Sequence, residues 1–138
     1  MKVLYCSWYE NSQEDLENAL NKITDEVIVI EHKVREYLGI DESVRQEIIS
    51  IVENGIDMII SFDFFPALSQ ICESYNIKYV SWVYDWPNYT LFHKEAYNKC
   101  NRIFLFERDG VKLLSQYNIN NVYYSSLAVD IDRLDLQL

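Results

Sequence analysis

The stretch Asp57–Tyr84, DMIISFDFFPALSQICESYNIKYVSWVY, decides the fold. Its first six residues, Asp57 to Phe62, form a mostly apolar run bounded by a turn signal, which reads as a buried strand. Pro66 follows at a position suited to the first turn of a helix, where a missing N–H costs nothing. Ala67, Leu68, Ile71, Cys72 and Tyr75 then recur at helical spacing. Lys78 to Tyr84 is a second apolar run rich in β-branched and aromatic residues. Strand, helix and strand in under thirty residues is a βαβ unit. Strands that are apolar throughout, rather than alternating, are those covered on both faces, as in parallel sheets.

The pattern repeats outward. Lys2 to Trp8 reads as a first strand and Leu16, Ala19, Leu20 and Ile23 as a helix starting near Gln13. Glu26 to Ile30 (EVIVI) is the second strand, and a polar stretch runs from Glu31 to Glu42. Val44, Ile48, Ile51 and Val52 make one helical face, opened by a capping box of Ser43 and Gln46 and closed at Asn54-Gly55. Beyond Tyr84, Asp85-Trp86-Pro87-Asn88 breaks the strand. A short helix is expected near Phe92 to Asn98, a fifth strand at Arg102 to Phe106, a helix carrying Val111 and Leu114, and a short sixth strand at Asn121 to Tyr124. The expectation is an α/β, three-layer, doubly wound, mostly parallel six-stranded sheet. The favoured strand order is 2-1-3-4-5-6, with 3-2-1-4-5-6 as the alternative.

The chain has 138 residues, 49% of them hydrophobic, enough for one domain with a sizeable core. Its formal net charge of −10 repels phosphate backbones and anionic lipid surfaces, so neither nucleic acid nor a membrane surface is an expected partner. No apolar run approaches the roughly 20 residues of a membrane span. The cysteines, Cys6, Cys72 and Cys100, are odd in number and match no CxxC pair. Thiols in apolar stretches and the lack of a secretory signal fit a cytoplasmic protein.

In open α/β sheets ligands bind beyond the carboxyl ends of the strands, beside the switch in strand order. In the favoured order that switch lies between the first and third strands. Ser7, Trp8, Tyr9 and Glu10 follow the first. Asp63, Phe64, Phe65 and Pro66 follow the third, and Tyr84, Asp85 and Trp86 end the neighbouring fourth. Aromatic faces beside carboxylates suit a sugar or other polyhydroxylated ligand. Trp8, Tyr9, Phe64, Phe65, Trp86 and His93 are therefore the candidate substrate-binding residues, and Asp85 and Asp63 the candidate catalytic carboxylates. Asp85 ranks ahead of Asp63, which has a competing use as the cap of the helix opening at Pro66; Asp85 for its part has one in shaping a turn. The bulky aromatics have one in core packing. None of the three glycines, Gly39, Gly55 and Gly110, follows the first strand, so the phosphate-cradling loop of dinucleotide-binding domains is missing. No metal-ligand cluster stands out, and no cofactor is expected in this domain.

Four features carry a resemblance to a known family: Phe62 to Pro66, Trp82 to Pro87, Cys100-Asn101 and Leu127 to Asp130. Together they resemble the N-terminal domain of bacterial GT-B-type glycosyltransferases, in the glycosyltransferase-like family that includes spore maturation proteins of the CgeB type. It covers Asp57 to Asp130 well and the first half by strand pattern. Trp86 stands where members commonly have a small residue, and Ser126 where they often have Pro. The resemblance implies that residues 1–130 form the acceptor-side Rossmann-like domain and that residues 131–138 begin a hinge to a C-terminal domain. That second domain would hold a nucleotide sugar, and the acceptor would be a carbohydrate or a glycosylated molecule. A domain of this kind is expected to be inactive by itself.

Two other readings compete. A non-catalytic binding or scaffolding module that kept the fold and lost the chemistry is the alternative that the sequence also allows, behind the favoured glycosyltransferase reading. A phosphoacceptor receiver domain would account for Asp63 at the end of the third strand. It also needs an acidic pair after the first strand and a Lys after the fifth, where this chain has Cys6-Ser7-Trp8 and Glu107-Arg108.

Overall fold

The structure is a computed structural model and describes residues 1–32 and 39–128. Six strands, β1 (Lys2–Ser7), β2 (Glu26–Glu31), β3 (Met58–Phe62), β4 (Lys78–Val83), β5 (Asn101–Leu105) and β6 (Val122–Tyr124), form one sheet in the order β2-β1-β3-β4-β5-β6. Every adjacent pair is parallel. The favoured order and fold class are thus observed, and the arrangement is Rossmann-like.

Among the described residues four α-helices connect the strands: α1 (Gln13–Ile23), α2 (Glu42–Glu53), α3 (Pro66–Tyr75) and α4 (Arg108–Gln116). Right-handed crossovers place α1 on one face and the others opposite, because the chain moves outward past β1 once and then returns in the other direction. Leu16 and Leu20 of α1 pack with Val3, Tyr5, Ile60 and Phe62. Ile48, Val52, Leu68, Ile71 and Leu114 pack with Leu4, Ile59, Tyr79 and Ile103 in the larger cluster on the other face. Beyond the reach of α1, its face continues into the half-buried Trp82 and Phe104 and the exposed Tyr123.

Three local expectations are corrected. Ser43 does not cap α2: the cap position is Asp41, and the helix already includes Glu42. Asp63 does not cap α3, whose cap position is Phe65 with Pro66 as first helical residue. The short helix expected from Phe92 to Asn98 is two 3₁₀ turns, Tyr89–Phe92 and Lys94–Tyr97, each capped by a side chain: Asn88 Oδ1 accepts from the Thr90 N–H, and His93 Nδ1 from the Glu95 N–H. Gly55 closes α2 with φ +100°, as the Asn-Gly signal requires. No helix among the described residues is long and apolar enough to cross a membrane. The expected hinge at Leu127 to Asp130 falls partly on Val129 and Asp130, which, like residues 131–138, lie outside the described residues.

Gly110 lies on the buried side of α4. A Cβ there would meet Leu105 Cδ2 at 2.9 Å and the Trp86 ring at 2.9 and 3.0 Å. Gly110→Ala gains about 1 kcal/mol in helix propensity, but overpacking against a ring costs about 1–3 kcal/mol. The variant is expected to lose about 1 kcal/mol in urea unfolding; a gain in stability would show that the ring yields freely.

Candidate functional site at the carboxyl edge of the sheet

The rim is built on an unusual backbone at Asp63. Its φ is +56°, a left-handed conformation that Asp tolerates better than most residues. Hydrogen bonds hold it there. The Asp63 N–H donates to the Trp82 carbonyl at 2.9 Å. The Asp63 carbonyl accepts from Ser61 Oγ and Ser81 Oγ, both at 2.9 Å. Ser61 and Ser81 are register partners on β3 and β4, both fully buried. The Tyr79 hydroxyl lies 2.7 Å from Ser61 Oγ and accepts from the Phe65 N–H at 3.0 Å, tying the start of α3 to the same network.

With its backbone so fixed, the Asp63 side chain is only 8% exposed, and its Oδ1 has no hydrogen-bond partner among the described residues. Burial raises its pKa to about 7, helped by the neighbouring charges of Asp85 and Glu10 and opposed by the Tyr84 backbone N–H. Glu10, 5% exposed, sits across from it at the end of β1. Glu10 Oε2 accepts from Ser7 Oγ at 3.1 Å and from the Trp8 N–H at 2.9 Å, while Oε1 has no partner among the described residues. Burial raises the Glu10 pKa as well.

Two aromatic rings flank these carboxyls. Trp8 Nε1 donates to the Phe62 carbonyl at 3.1 Å, and the Trp8 ring stacks on Tyr84 with centroids 6.5 Å apart and planes 15° apart. Tyr84, half-buried, has its pKa pushed up to about 12 by burial and by Asp63, Glu10 and Asp85. Asp85 itself is exposed. Trp8, Asp63 and Asp85 therefore share the same edge of the sheet, as the switch-point argument expects.

The other sequence candidates separate from this group. Phe64 and Phe65 are 1% and 3% exposed and belong to the larger core, so neither presents a face to a ligand. Trp86 packs down onto Gly110 and toward Phe92, with ring centroids 6.4 Å apart. Tyr9 is exposed on the loop after β1, with φ +70°. His93 caps the second 3₁₀ turn. Glu10, Ser61, Ser81 and Tyr79 were not among the sequence candidates. The signal for the serines was there: a Ser at the same relative place in two apolar strands, SF and SWV, which the sheet brings side by side.

No family model, curated protein or solved structure matches the chain.

The chemistry of the rim must then be read from its residues. Thiolate chemistry has no place in it, because Cys6 and Cys72 are buried with their thiol pKa values pushed up by desolvation. Among the described residues no group of three His, Cys, Asp or Glu is placed to hold a metal ion. What remains is a buried carboxyl that changes protonation near neutrality, a second buried carboxyl, an exposed one, and a stacked aromatic pair. A set of this kind can take up and release a proton beside an aromatic platform.

Proposed function

We propose that this chain is the acceptor-side domain of a GT-B-type glycosyltransferase, with Asp63 as the base that takes the proton of the acceptor hydroxyl. The observation that carries the reading is Asp63: a buried carboxyl with an unpartnered oxygen, at the switch between β1 and β3, titrating at about 7. A base works best when its pKa lies near the operating pH. The sequence favoured Asp85; the exposure of Asp85 and the burial of Asp63 support assigning the role to Asp63 instead. The acceptor oxygen attacks the anomeric carbon of the donor, the hydroxyl proton passes to Asp63, and the nucleotide diphosphate leaves with the electron pair of the broken bond. The donor would be held by the C-terminal domain that the resemblance implies. Support for the division comes from the loop after β1, which has no glycine to admit a pyrophosphate. The Trp8–Tyr84 stack offers the apolar face that sugar rings pack on.

Two measurements test this. Calorimetry of the chain with UDP- or GDP-sugars at millimolar concentration is expected to show no binding; a micromolar dissociation constant would put the donor site here and reverse the assignment. In the polypeptide carrying both domains, Asp63→Asn is expected to lower kcat by about 10²–10⁴-fold, the usual worth of a general base. Asp85→Asn is expected to stay within a few-fold. Near-normal turnover of Asp63→Asn with an intact fold removes the base from this position.

A further inference from the structure

The two 3₁₀ turns and α4 carry a patch that the rim does not account for. Trp86, which follows Asp85 directly, lies over Gly110 of α4, and its ring centroid is 6.4 Å from that of Phe92. Phe92 in turn meets Tyr117 at 6.0 Å, with the ring planes at 89°. The Tyr97 hydroxyl donates to the Tyr117 carbonyl at 2.8 Å. Phe92, Tyr97, Leu113 and Tyr117 are all exposed, and so is Tyr89 in the first 3₁₀ turn. A contiguous run of exposed rings of this kind marks a binding surface. It begins beside the rim, at Trp86, and leads away from it along α4.

Its charge sets this surface apart. Residues 89–117 carry five basic and three acidic side chains, a formal +2 in a chain of −10. Two of the three acids are engaged: Glu107 accepts from the N–H groups of Asp109 and Gly110, and Glu95 from the Asn98 amide. Lys94, two residues after Phe92, and Lys112, next to Leu113, are exposed and in no ion pair among the described residues. Charges elsewhere on the chain are screened over about 8 Å at physiological salt, so an anion at the patch feels chiefly its own lysines. The tyrosines offer hydroxyls as well as ring faces, which suits a sugar chain better than an apolar peptide. A carboxylate on a sugar ring puts its charge at the ring's edge and leaves the C–H face free to stack. A phosphodiester between sugars would spread the rings beyond the 6.0 and 6.4 Å steps of the aromatic run.

We infer that the surface from Trp86 through Phe92 to Tyr117 binds an oligosaccharide chain bearing carboxylates, with Lys94 and Lys112 meeting the acid groups. On the glycosyltransferase reading, on which this narrower assignment of substrate class rests, the acceptor is an acidic sugar polymer. Its reacting end lies at the rim and its preceding sugars lie along this surface.

The test titrates the full 138-residue chain at pH 7 and low salt with tetragalacturonic acid, its neutral methyl ester and the galacturonic acid monomer. An oligoglutamate peptide is run beside them, and amide chemical-shift changes locate each ligand. The acidic tetramer is expected to bind about fivefold more tightly than its ester, the worth of two exposed charge pairs, and about tenfold more tightly than the monomer, which reaches fewer rings. Its shifts should run from Trp86 to Tyr117. Phe92→Ala and Tyr117→Ala should each weaken the tetramer about fivefold, and Lys94→Ala with Lys112→Ala should bring the preference over the ester below about twofold, with the circular dichroism spectrum unchanged in every case. Equal binding of acid and ester, or of tetramer and monomer, overturns the inference. Shifts confined to Trp8, Asp63 and Tyr84 also overturn it, and they leave the transferase reading standing. Shifts along the aromatic run with none at the rim support the surface and remove the acceptor role assigned to its ligand. Oligoglutamate shifting the same amides at lower concentration overturns the inference in favour of an acidic peptide, and so does an absence of shifts from any sugar.

Discussion

Asp63→Asn is expected to stabilise the fold at pH 8 by about 3 kcal/mol while leaving its stability at pH 4 nearly unchanged. The reasoning is one of linkage. The Asp63 pKa is raised from 3.8 to about 7 in the folded chain. Between those values the folded protein keeps a proton that the unfolded chain has released, so stability falls as pH rises. Above about pH 7 both states have lost the proton and the penalty no longer grows. Roughly three pKa units at 1.36 kcal/mol each bound the loss at about 4 kcal/mol. Asparagine has no charge to bury, and it adopts the left-handed backbone of position 63 readily. Urea unfolding at pH 4, 6 and 8 reads the difference between variant and parent. A shallower decline persists in the variant, because burial raises the Glu10 pKa in the same direction. Parallel stability profiles for the two proteins would mean that Asp63 is ionised at no special cost. The candidate base is thus also a weak point of the fold, a common trade at active sites.

The second large effect is expected at Asn101, half of the Cys-Asn pair that contributes to the family resemblance. Asn101 is fully buried at the start of β5. Its Oδ1 accepts from Ser69 Oγ at 2.7 Å, and its Nδ2 donates to the Glu95 carbonyl at 2.8 Å. Asn98 Nδ2 in turn donates to Ser69 Oγ at 3.0 Å. One amide thereby ties α3, β5 and the second 3₁₀ turn together. Asn101→Leu keeps most of the volume and removes both hydrogen bonds, leaving the Ser69 hydroxyl of α3 and the Glu95 carbonyl of the second 3₁₀ turn each short of a partner. Such losses cost about 1–3 kcal/mol per orphaned group, and a loss of about 3 kcal/mol overall is expected by chemical denaturation. Asn98→Ala, at a half-buried site, should cost about 1 kcal/mol or less. Equal stability of Asn101→Leu and the parent would show that apolar packing alone fixes the 3₁₀ segment.

The strands, their order and the position of the rim were legible in the chain because each rests on a signal several residues long. DMIISF, KYVSWVY and RIFLF are mostly apolar runs rather than alternating ones, and parallel pairing with right-handed crossovers leaves few arrangements for six such runs. The details that failed depend on single side chains. Ser43 and Asp41 are both competent caps two residues apart, and helix termini shift by that much under tertiary packing. Asp63 three positions before Pro66 looks like a cap in one dimension, but the left-handed turn at Asp63 sends its side chain to the rim and leaves the cap position to Phe65. Phe64 and Phe65 follow the same turn into the core, which no periodicity reveals. Glu10 was legible as a loop residue; its burial was not, because that comes from the Ser7 hydroxyl and the Trp8 N–H folding back on it.

The chain contains three tryptophans, and all of them, Trp8, Trp82 and Trp86, lie at or next to the carboxyl ends of β1 and β4. The indoles are therefore built-in optical reporters of one small region. Trp82 accompanies Phe62 in a stacked pair 5.5 Å apart, and Trp8 lies on Tyr84. Ionisation of Asp63 changes the electric field at these rings, so intrinsic emission should follow a titration curve centred near pH 7 without any unfolding. Binding events at the rim can be followed the same way, with no label attached.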